Sequence, residues 1–464
     1  MQHLLLALAF TLFQDTTPPP PAPALTTADL IATGDAPLSR RLRAQLGPVT
    51  MRVSPGRIER LRDGKVWTTN WYGQPLDNAL AYALRLSEPG EVIGLSGEHP
   101  GFRAGGTNDS KGFEAVRPRD PATGKRPPIP ECAIVRDDGA DIPAIFGVSI
   151  TGTDDDTDGG IEGITFHGID IVTPSAAPNH GKCAVIVEQF KATGYLRFWN
   201  CDFTRESDPN AWQGWGKMWA VRAHGVLTYL EMVECVADDA LEHALAYADN
   251  LGRNGDTSRF IACAVTGRGG GRTCIQAVNR VDSAQGDPAR YGGGRVVIDG
   301  CDLRCIGGNG GGAITFASSG AHILIRDTKI EVAGPHNGIM VWINSGNGGL
   351  ITNAAGFAHE VVVLDGVTVR GGNRPHIAVS AAERVVIRNG FRITASPIDG
   401  GRNCFDFGVN GVPAIANGEI LFRNLPAPLS AYDGFQSGAK VRVNNAELTA
   451  NQLDKLLVMQ PPGK

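Results

Sequence analysis

Asp238, Asp239, Glu242 and His243 fall within six consecutive residues of the stretch CVADDALEHALAYADN that begins at Cys235. Clustered carboxylates serve two kinds of chemistry. They coordinate a hard cation such as Ca2+, or they act as general acid and base once their surroundings separate their pKa values. The structural alternative is a polar ladder closing a corner, because Asp favours turns. Just upstream, WNCDFTRESDPNAWQGWGKMW holds Trp199, Trp212, Trp215 and Trp219, four of the chain's seven tryptophans. Trp212 and Trp215 lie beside Gly214 and Gly216 in a loop, where they offer flat faces to sugar rings or fold back against the body of the protein. Lys182, Lys217, Glu242 and Arg272 open four successive short alternating segments. If these are neighbouring strands, about 4.8 Å apart, the four side chains form a mostly basic ladder. Arg268 belongs to the same neighbourhood, in GRGGGR at 267–272, and residues 253–304 contain eight Arg, five Asp and no Lys. Arg presents a rigid fork that matches a carboxylate.

Together these residues fit a chain of uronic acids. Lys217, His243 and Arg272 would neutralise the uronate carboxyl and take the proton alpha to it. Asp238 and Asp239 would hold a cation or act as acid and base. Trp212, Trp215, Lys182, Glu242 and Arg268 would contact the polysaccharide. On a solvated sheet face the same charges would simply pair across strands. A further acidic run, Asp154-x-Asp156-x-Asp158-Gly159-x-Ile161, matches the opening of a calcium loop, which makes Ca2+ the candidate ion. Position twelve of that loop is Thr165 rather than Glu. GRGGGR matches neither a phosphate loop nor a dinucleotide fingerprint. His224, His322, His336 and His359 are scattered without metal-ligand spacing.

The elements that must position these residues are legible as a degenerate repeat. Its copies read ITFHGIDI at 164, LRFWNCDF at 196, LEMVECVA at 230, FIACAVTG at 260, VVIDGCDL at 296, ILIRDTKI at 323, VVVLDGVTV at 361 and VVIRNGFRI at 385. Apolar residues two apart, then a polar break, then a second apolar pair describe strands with one buried face on either side of a corner. Each copy is followed by a further alternating segment, such as KCAVIVEQ from Lys182 or RTCIQAVNR from Arg272. No unit contains a convincing ten-residue helix, which argues against a parallel sheet with crossover helices. Short strands recurring about every thirty residues predict a stacked all-β repeat.

With these motifs the chain resembles the right-handed parallel β-helix superfamily that includes pectate lyases and polygalacturonases. The resemblance covers about residues 75–430. PLDNALAYALRLSEPGEVIGLSGEHPGFR at 75–103 is similar to the superfamily's entry segment, a short helix, a Pro-Gly turn and the first strand. It implies an all-β solenoid of roughly 8–10 coils with short helical caps at both ends, the C-terminal cap being LTANQLDKLLV from Leu448. It also implies a carbohydrate-active protein, with a lyase on an acidic glycan as the leading expectation. Asp238-Asp239 resembles the adjacent Asp pair of polygalacturonases, but the Asn-Thr-Asp, Gly-His-Gly and Arg-Ile-Lys signatures of those hydrolases are missing. A non-catalytic surface or glycan-binding protein is the rival class.

Net charge is −5, which does not point to nucleic acid, and no 18-residue apolar run exists to form a spanning helix. LLLALAFTLF from Leu4 has the length of a signal-peptide core, and the Pro-rich DTTPPPPAPA from Asp15 reads as a stiff linker, so export to the cell envelope or beyond is expected. The expected divisions are a signal segment at 1–14, a linker at 15–28, an N-terminal region with the entry helix at 29–130, the repeat at 131–430 and a C-terminal cap at 431–464, taken as a monomer. Gly is 60 of the 464 residues, an excess that supplies corners. Among nine cysteines, Cys201, Cys235 and Cys301 occupy one slot of the repeat, and Cys183 and Cys274 lie in the following segments, so core packing is expected rather than a disulfide framework.

Overall fold

The computed structural model describes residues 38–104, 114–115, 117–151, 159–174, 183–205, 219–227, 229–240, 243–249, 257–268, 273–278, 295–306, 311–317, 322–333, 336–342, 359–371, 377–379, 382–388, 392–394, 405–407, 419–423, 441–443 and 446–448. These are mostly parallel strands, with two short helices, α1 (Leu38–Gln45) and α2 (Ala79–Leu86). The expected signal segment and linker lie outside the described residues. So does the expected C-terminal helix, apart from Leu448, which ends the strand Ala446–Leu448.

The chain passes through three ladders in turn. In the first, Glu91–Leu95, Cys132–Arg136, Gly163–His167, Tyr195–Trp199, Leu230–Val233, Thr257–Ile261, Arg295–Asp299 and His322–Arg326 pair in parallel, each with the next. Three later strands continue it to Glu419–Arg423. The second ladder runs through Asp170–Thr173, Asp202–Arg205, Val236–Ala240, Ala264–Arg268 and Asp302–Ile306. The third runs through Cys183–Thr193, Trp219–Leu227, His243–Asp249 and Thr273–Val278. The eight-residue motif therefore spans two strands, one in each of the first two ladders, and the alternating segment that follows it supplies the third.

Stacking follows from register. Ile93, Ile134, Phe166, Phe198, Met232, Phe260, Ile298 and Ile325 form one continuous interior column, every one fully buried. Phe166 and Phe198 stack at 5.0 Å between centroids with an interplanar angle of 7°. The polar break is a corner made by a single residue in the left-handed region: Gly168, Asn200, Glu234, Ala262, Gly300, Asp327 and Gly366. The N–H of each of the first six donates to a carbonyl one rung on, as in Asn200 to Val233 at 2.8 Å and Glu234 to Ile261 at 2.8 Å. The register moves the copy near Phe260 two residues earlier than its apolar pattern suggests, because Ser258 pairs with Val296. Ser258 is a fully buried polar residue in an apolar column, and its hydroxyl accepts the Leu230 N–H at 3.2 Å.

That shift adds Cys263 to the slot of Cys201, Cys235 and Cys301. All eight described cysteines, Cys305 among them, are buried and free, so the expectation of core packing holds for them. The thiols of Cys235, Cys263 and Cys301 donate to Phe198, Met232 and Phe260 carbonyls at 3.2, 3.4 and 3.4 Å.

The helix, turn and strand expected between 75 and 103 are present as α2, a left-handed Gly90 and Glu91–Leu95. The Asn78 side chain caps α2 by accepting the Ala81 N–H at 3.0 Å. Glu91–Leu95 is not the first strand of the sheet, however. Met51–Ser54 pairs with it in parallel and carries an antiparallel hairpin, Arg57–Arg60 with Lys65–Trp67, on its far edge. The α2 helix packs against Met51–Ser54, Arg57–Arg60 and Glu98–Ala104, covering apolar surface at this end of the ladders.

Candidate functional site

The corner after the first ladder carries the groups best placed for chemistry. A cleft of about 460 Å³ is lined by Arg43 of α1, by Arg136, Asp137 and Asp138 after one rung, by His167 at the end of the next, and by Asn200 and Asp202 in the third. The repeat explains why they meet. His167 is the last residue of Gly163–His167, Gly168 turns the corner, and Asp170 opens the second-ladder strand, where it pairs in register with Asp202.

His167 Nε2 is buried without a hydrogen-bond partner. Burial, then the positive charge of Arg43, holds its imidazole below the usual histidine pKa, so the ring is neutral at pH 7. Burial raises the Asp170 carboxyl, opposed by the Thr204 hydroxyl that donates to it at 2.7 Å and reinforced by the charge of Asp202. Partial burial also raises Asp202. In the cleft a neutral base thus stands with one carboxyl, Asp202, that holds its proton longer than usual and with the guanidinium groups of Arg43 and Arg136. Asp170 is the neighbour of Asp202 in the ladder and is not part of the lining. Such a set can move a proton beside a bound anion.

The α1 helix brings Arg43 to this cleft. Leu38, Leu42 and Leu46 follow at intervals of four and pack on Trp199, Val233, Ile261 and Ala262. The far end of the stripe, Leu46, also meets Val92, Ala133 and Val135. Glu234 closes the start of the helix, with Oε1 accepting the Leu38 N–H at 2.7 Å and Oε2 the Ser39 N–H at 3.1 Å and the Ser39 hydroxyl. A carboxylate suits this position because the first N–H groups of a helix have no partner within it.

The adjoining outer face of the first ladder is different, because its polar groups satisfy one another. Tyr195 and Tyr229 stack at 5.0 Å, Arg197 lies 4.1 Å from the Tyr195 ring centroid, and Glu231 accepts from Trp199 Nε1 at 2.8 Å and Arg259 at 3.3 Å.

The residues singled out from sequence fall in two groups. Lys182, Trp212, Trp215, Lys217, Glu242, Arg272, Asp154, Asp156 and Asp158 lie outside the described residues. Asp238, Asp239, His243 and Arg268 are on described strands, at the level of the backbone. There the register is irregular in an informative way. Ala237 pairs with Val265 and Ala240 with Gly267, so Asp238 and Asp239 together oppose the single residue Thr266. His243 pairs with Thr273 and Ala246 with Ile275, which puts one extra residue after His243 as well. Bulges of this kind turn side chains out of the regular pleat and are common beside active sites. Cys183, Trp219, His243 and Thr273 share one register position. Lys182, Glu242 and Arg272 each immediately precede a member of that set, whereas Lys217 is two residues before Trp219, so the alignment with Lys217 is one residue out.

His167, Asp170, Asp202 and Arg43 were not singled out from sequence. Asp170, Asp202 and Asp302 do recur at one motif position, which was an available signal. Arg43 had none, because nothing local ties residue 43 to residue 167. Among the described residues no three His, Cys, Asp or Glu side chains cluster as metal ligands, and no helix is long and apolar enough to cross a membrane. No family model matches the chain, and neither a curated protein nor a solved structure matches it.

Proposed function

We propose that this protein is an exported, carbohydrate-active right-handed parallel β-helix of the pectate-lyase-like kind that cleaves an acidic glycan by β-elimination. Three parallel ladders visited in rotation support the fold. The observation that carries the activity is the corner cleft, where a neutral imidazole shares the lining with two guanidinium groups and with Asp202, a carboxyl of raised proton affinity. In the reaction, the His167 imidazole, part of the cleft lining, takes the proton alpha to the uronate carboxyl while Arg43 or Arg136 balances the carboxylate charge. The C–H electron pair forms the new C=C bond as the glycosidic C–O bond breaks, and Asp202 in its acid form protonates the departing oxygen. A second form of the proposal keeps the chemistry on the bulged rung, with His243, Lys217 and Arg272 handling proton and carboxylate and Asp238 and Asp239 holding a cation or acting as acid and base. Calcium at Asp154, Asp156 and Asp158 rests on the sequence motif alone.

A hydrolase is the second reading, favoured by one observation. Asp170 and Asp202 are in register on neighbouring rungs. A spacing of about 4.8 Å between strands is close to the roughly 5–5.5 Å between the carboxyls of retaining glycosidases.

The test is incubation with uronate polymers, with and without Ca2+, following the ultraviolet absorbance of the unsaturated uronate beside a reducing-end assay. Absorbance together with reducing ends supports elimination, and reducing ends alone supports hydrolysis. Loss of activity in His167→Ala but not His243→Ala assigns the corner cleft, and the opposite result assigns the bulged rung. Silence on a broad glycan panel rejects the enzyme and leaves a non-catalytic binding protein.

A further inference from the structure

Arg43 is the cleft residue that comes from outside the repeat. Its Nη1 donates to the Gly47 carbonyl at 2.7 Å, which pins the guanidinium at the C-terminal end of α1 and leaves its other N–H groups in a fixed fork. At the other end of the helix Glu234 holds Leu38 and Ser39, and the leucine stripe docks the length between. Neighbouring arginines are already matched to acids, Arg259 to Glu231 at 3.3 Å and Arg52 to Asp137 at 3.3 Å. No ion pair of Arg43 is found among the described residues. Asp138 also faces the cleft and disfavours an anion there, so the sign of the ligand is decided by whether the guanidinium groups are in place.

We infer that α1 is part of the binding site: Arg43, positioned by Glu234, recognises the carboxylate of a uronate unit lodged in the corner cleft beside His167. This names the charge-reading residue of the acidic-glycan reading above and rests on it. Selection of charged over neutral sugars then resides in a helix outside the repeat, and the rungs supply the wall and the proton-moving groups.

The experiment is a titration of the full chain with D-galacturonate, D-glucuronate and D-galactose, followed by calorimetry and by the His167 ring signals in NMR. Uronates are expected to bind and to shift the His167 signals, while galactose does neither. Arg43→Ala should weaken uronate binding about tenfold or more, as expected for loss of a charge-assisted pair. In the sugar-free Arg43→Ala protein the His167 pKa should rise, because a neighbouring positive charge is gone. An unchanged cooperative melting transition, with the His167 signals kept distinct from their positions in the denatured chain, shows that the variant is folded with the cleft formed. Glu234→Gln should weaken binding less, in proportion to the fraction of α1 released. Equal uronate binding by wild type and Arg43→Ala, galactose bound as well as galacturonate, or no uronate binding at millimolar concentration would overturn the inference. Uronate bound here with uronate polymers left intact keeps this inference and removes the elimination reading. Polymer cleavage that is indifferent to Arg43 does the reverse.

Discussion

Replacing Glu234 by Gln tests how the N-terminal helix is held. The carboxylate accepts two backbone N–H groups and one hydroxyl from the first turn of α1, across 196 and 195 residues of sequence. An amide keeps one acceptor oxygen and turns an NH2 toward donors. Loss of a helix cap costs about 1 kcal/mol, and loss of the charge at the helix N-terminus about 0.3–1 kcal/mol more. A total of one to two kcal/mol corresponds to a roughly 5- to 30-fold shift of the docking equilibrium. Hydrogen exchange read by mass spectrometry should show the amides of Leu38–Gln45 exchanging faster by that factor. Amides of Tyr195–Trp199 should be unchanged, because the interior column beneath them is untouched. A rise under about twofold would refute the capping argument. An equal rise in both segments would refute the separation of α1 from the ladders. Glu234→Gly is the control for backbone strain. It also loses the cap but relieves a left-handed residue, worth about 1–2 kcal/mol, so α1 should loosen while the melting temperature of the ladders holds or rises.

Phe198→Ala removes one ring of the Phe166–Phe198 stack from a fully buried column and should cost about 3–5 kcal/mol in denaturant unfolding. Asp327 is an exposed left-handed corner residue whose carboxyl is raised by partial desolvation and by the charges of Asp299 and Asp365, against the opposing charge of Arg326 4.0 Å away. A raised carboxyl favours the folded state when protonated and works against it as pH climbs from the unfolded value through the folded one. Asp327→Asn should therefore raise the melting temperature at pH 7 and make no difference at pH 2. His167 and His99 are both held below the usual histidine pKa, chiefly by burial. Their contribution to stability is complete above the unfolded value of about 6.5 and is lost as pH falls toward the folded values, so unfolding curves should weaken across that interval, and less so in a His99→Gln variant. Buried thiols with raised pKa, Cys201 at about 12 among them, should resist a thiol-specific reagent until the protein unfolds; prompt reaction of a ladder cysteine in the native protein would contradict the packing described.

Much of the architecture could be read from local pattern. Alternation at 196–199, 230–233 and 296–299 marks strands whose first and third side chains go inward, and it survives in the structure because neighbouring copies supply the matching apolar residues. The copy near Phe260 was misplaced by two residues for a physical reason. Ser258 takes an interior position where an apolar residue is expected, and its hydroxyl bond to Leu230 makes that tolerable. Sequence reading also placed the first strand too late, because the hairpin at 57–67 lacks the repeat's signature and belongs to the sheet only through Met51–Ser54.

For chemistry the division is sharper. Sequence alone marked Asp238, Asp239 and His243 as a cluster, since they are adjacent in the chain, and it determined the repeat, its corners and the packing role of the cysteines, all of which depend on residues a few positions apart. Only the tertiary structure decided that Asp238 and Asp239 sit in a bulge, that Asp170 and Asp202 stand in register, and that Arg43 shares a cleft with His167. Register depends on how one rung settles on the next, and the docking of α1 depends on a carboxylate some 195 residues away. Neither leaves a trace in the local spacing of residues.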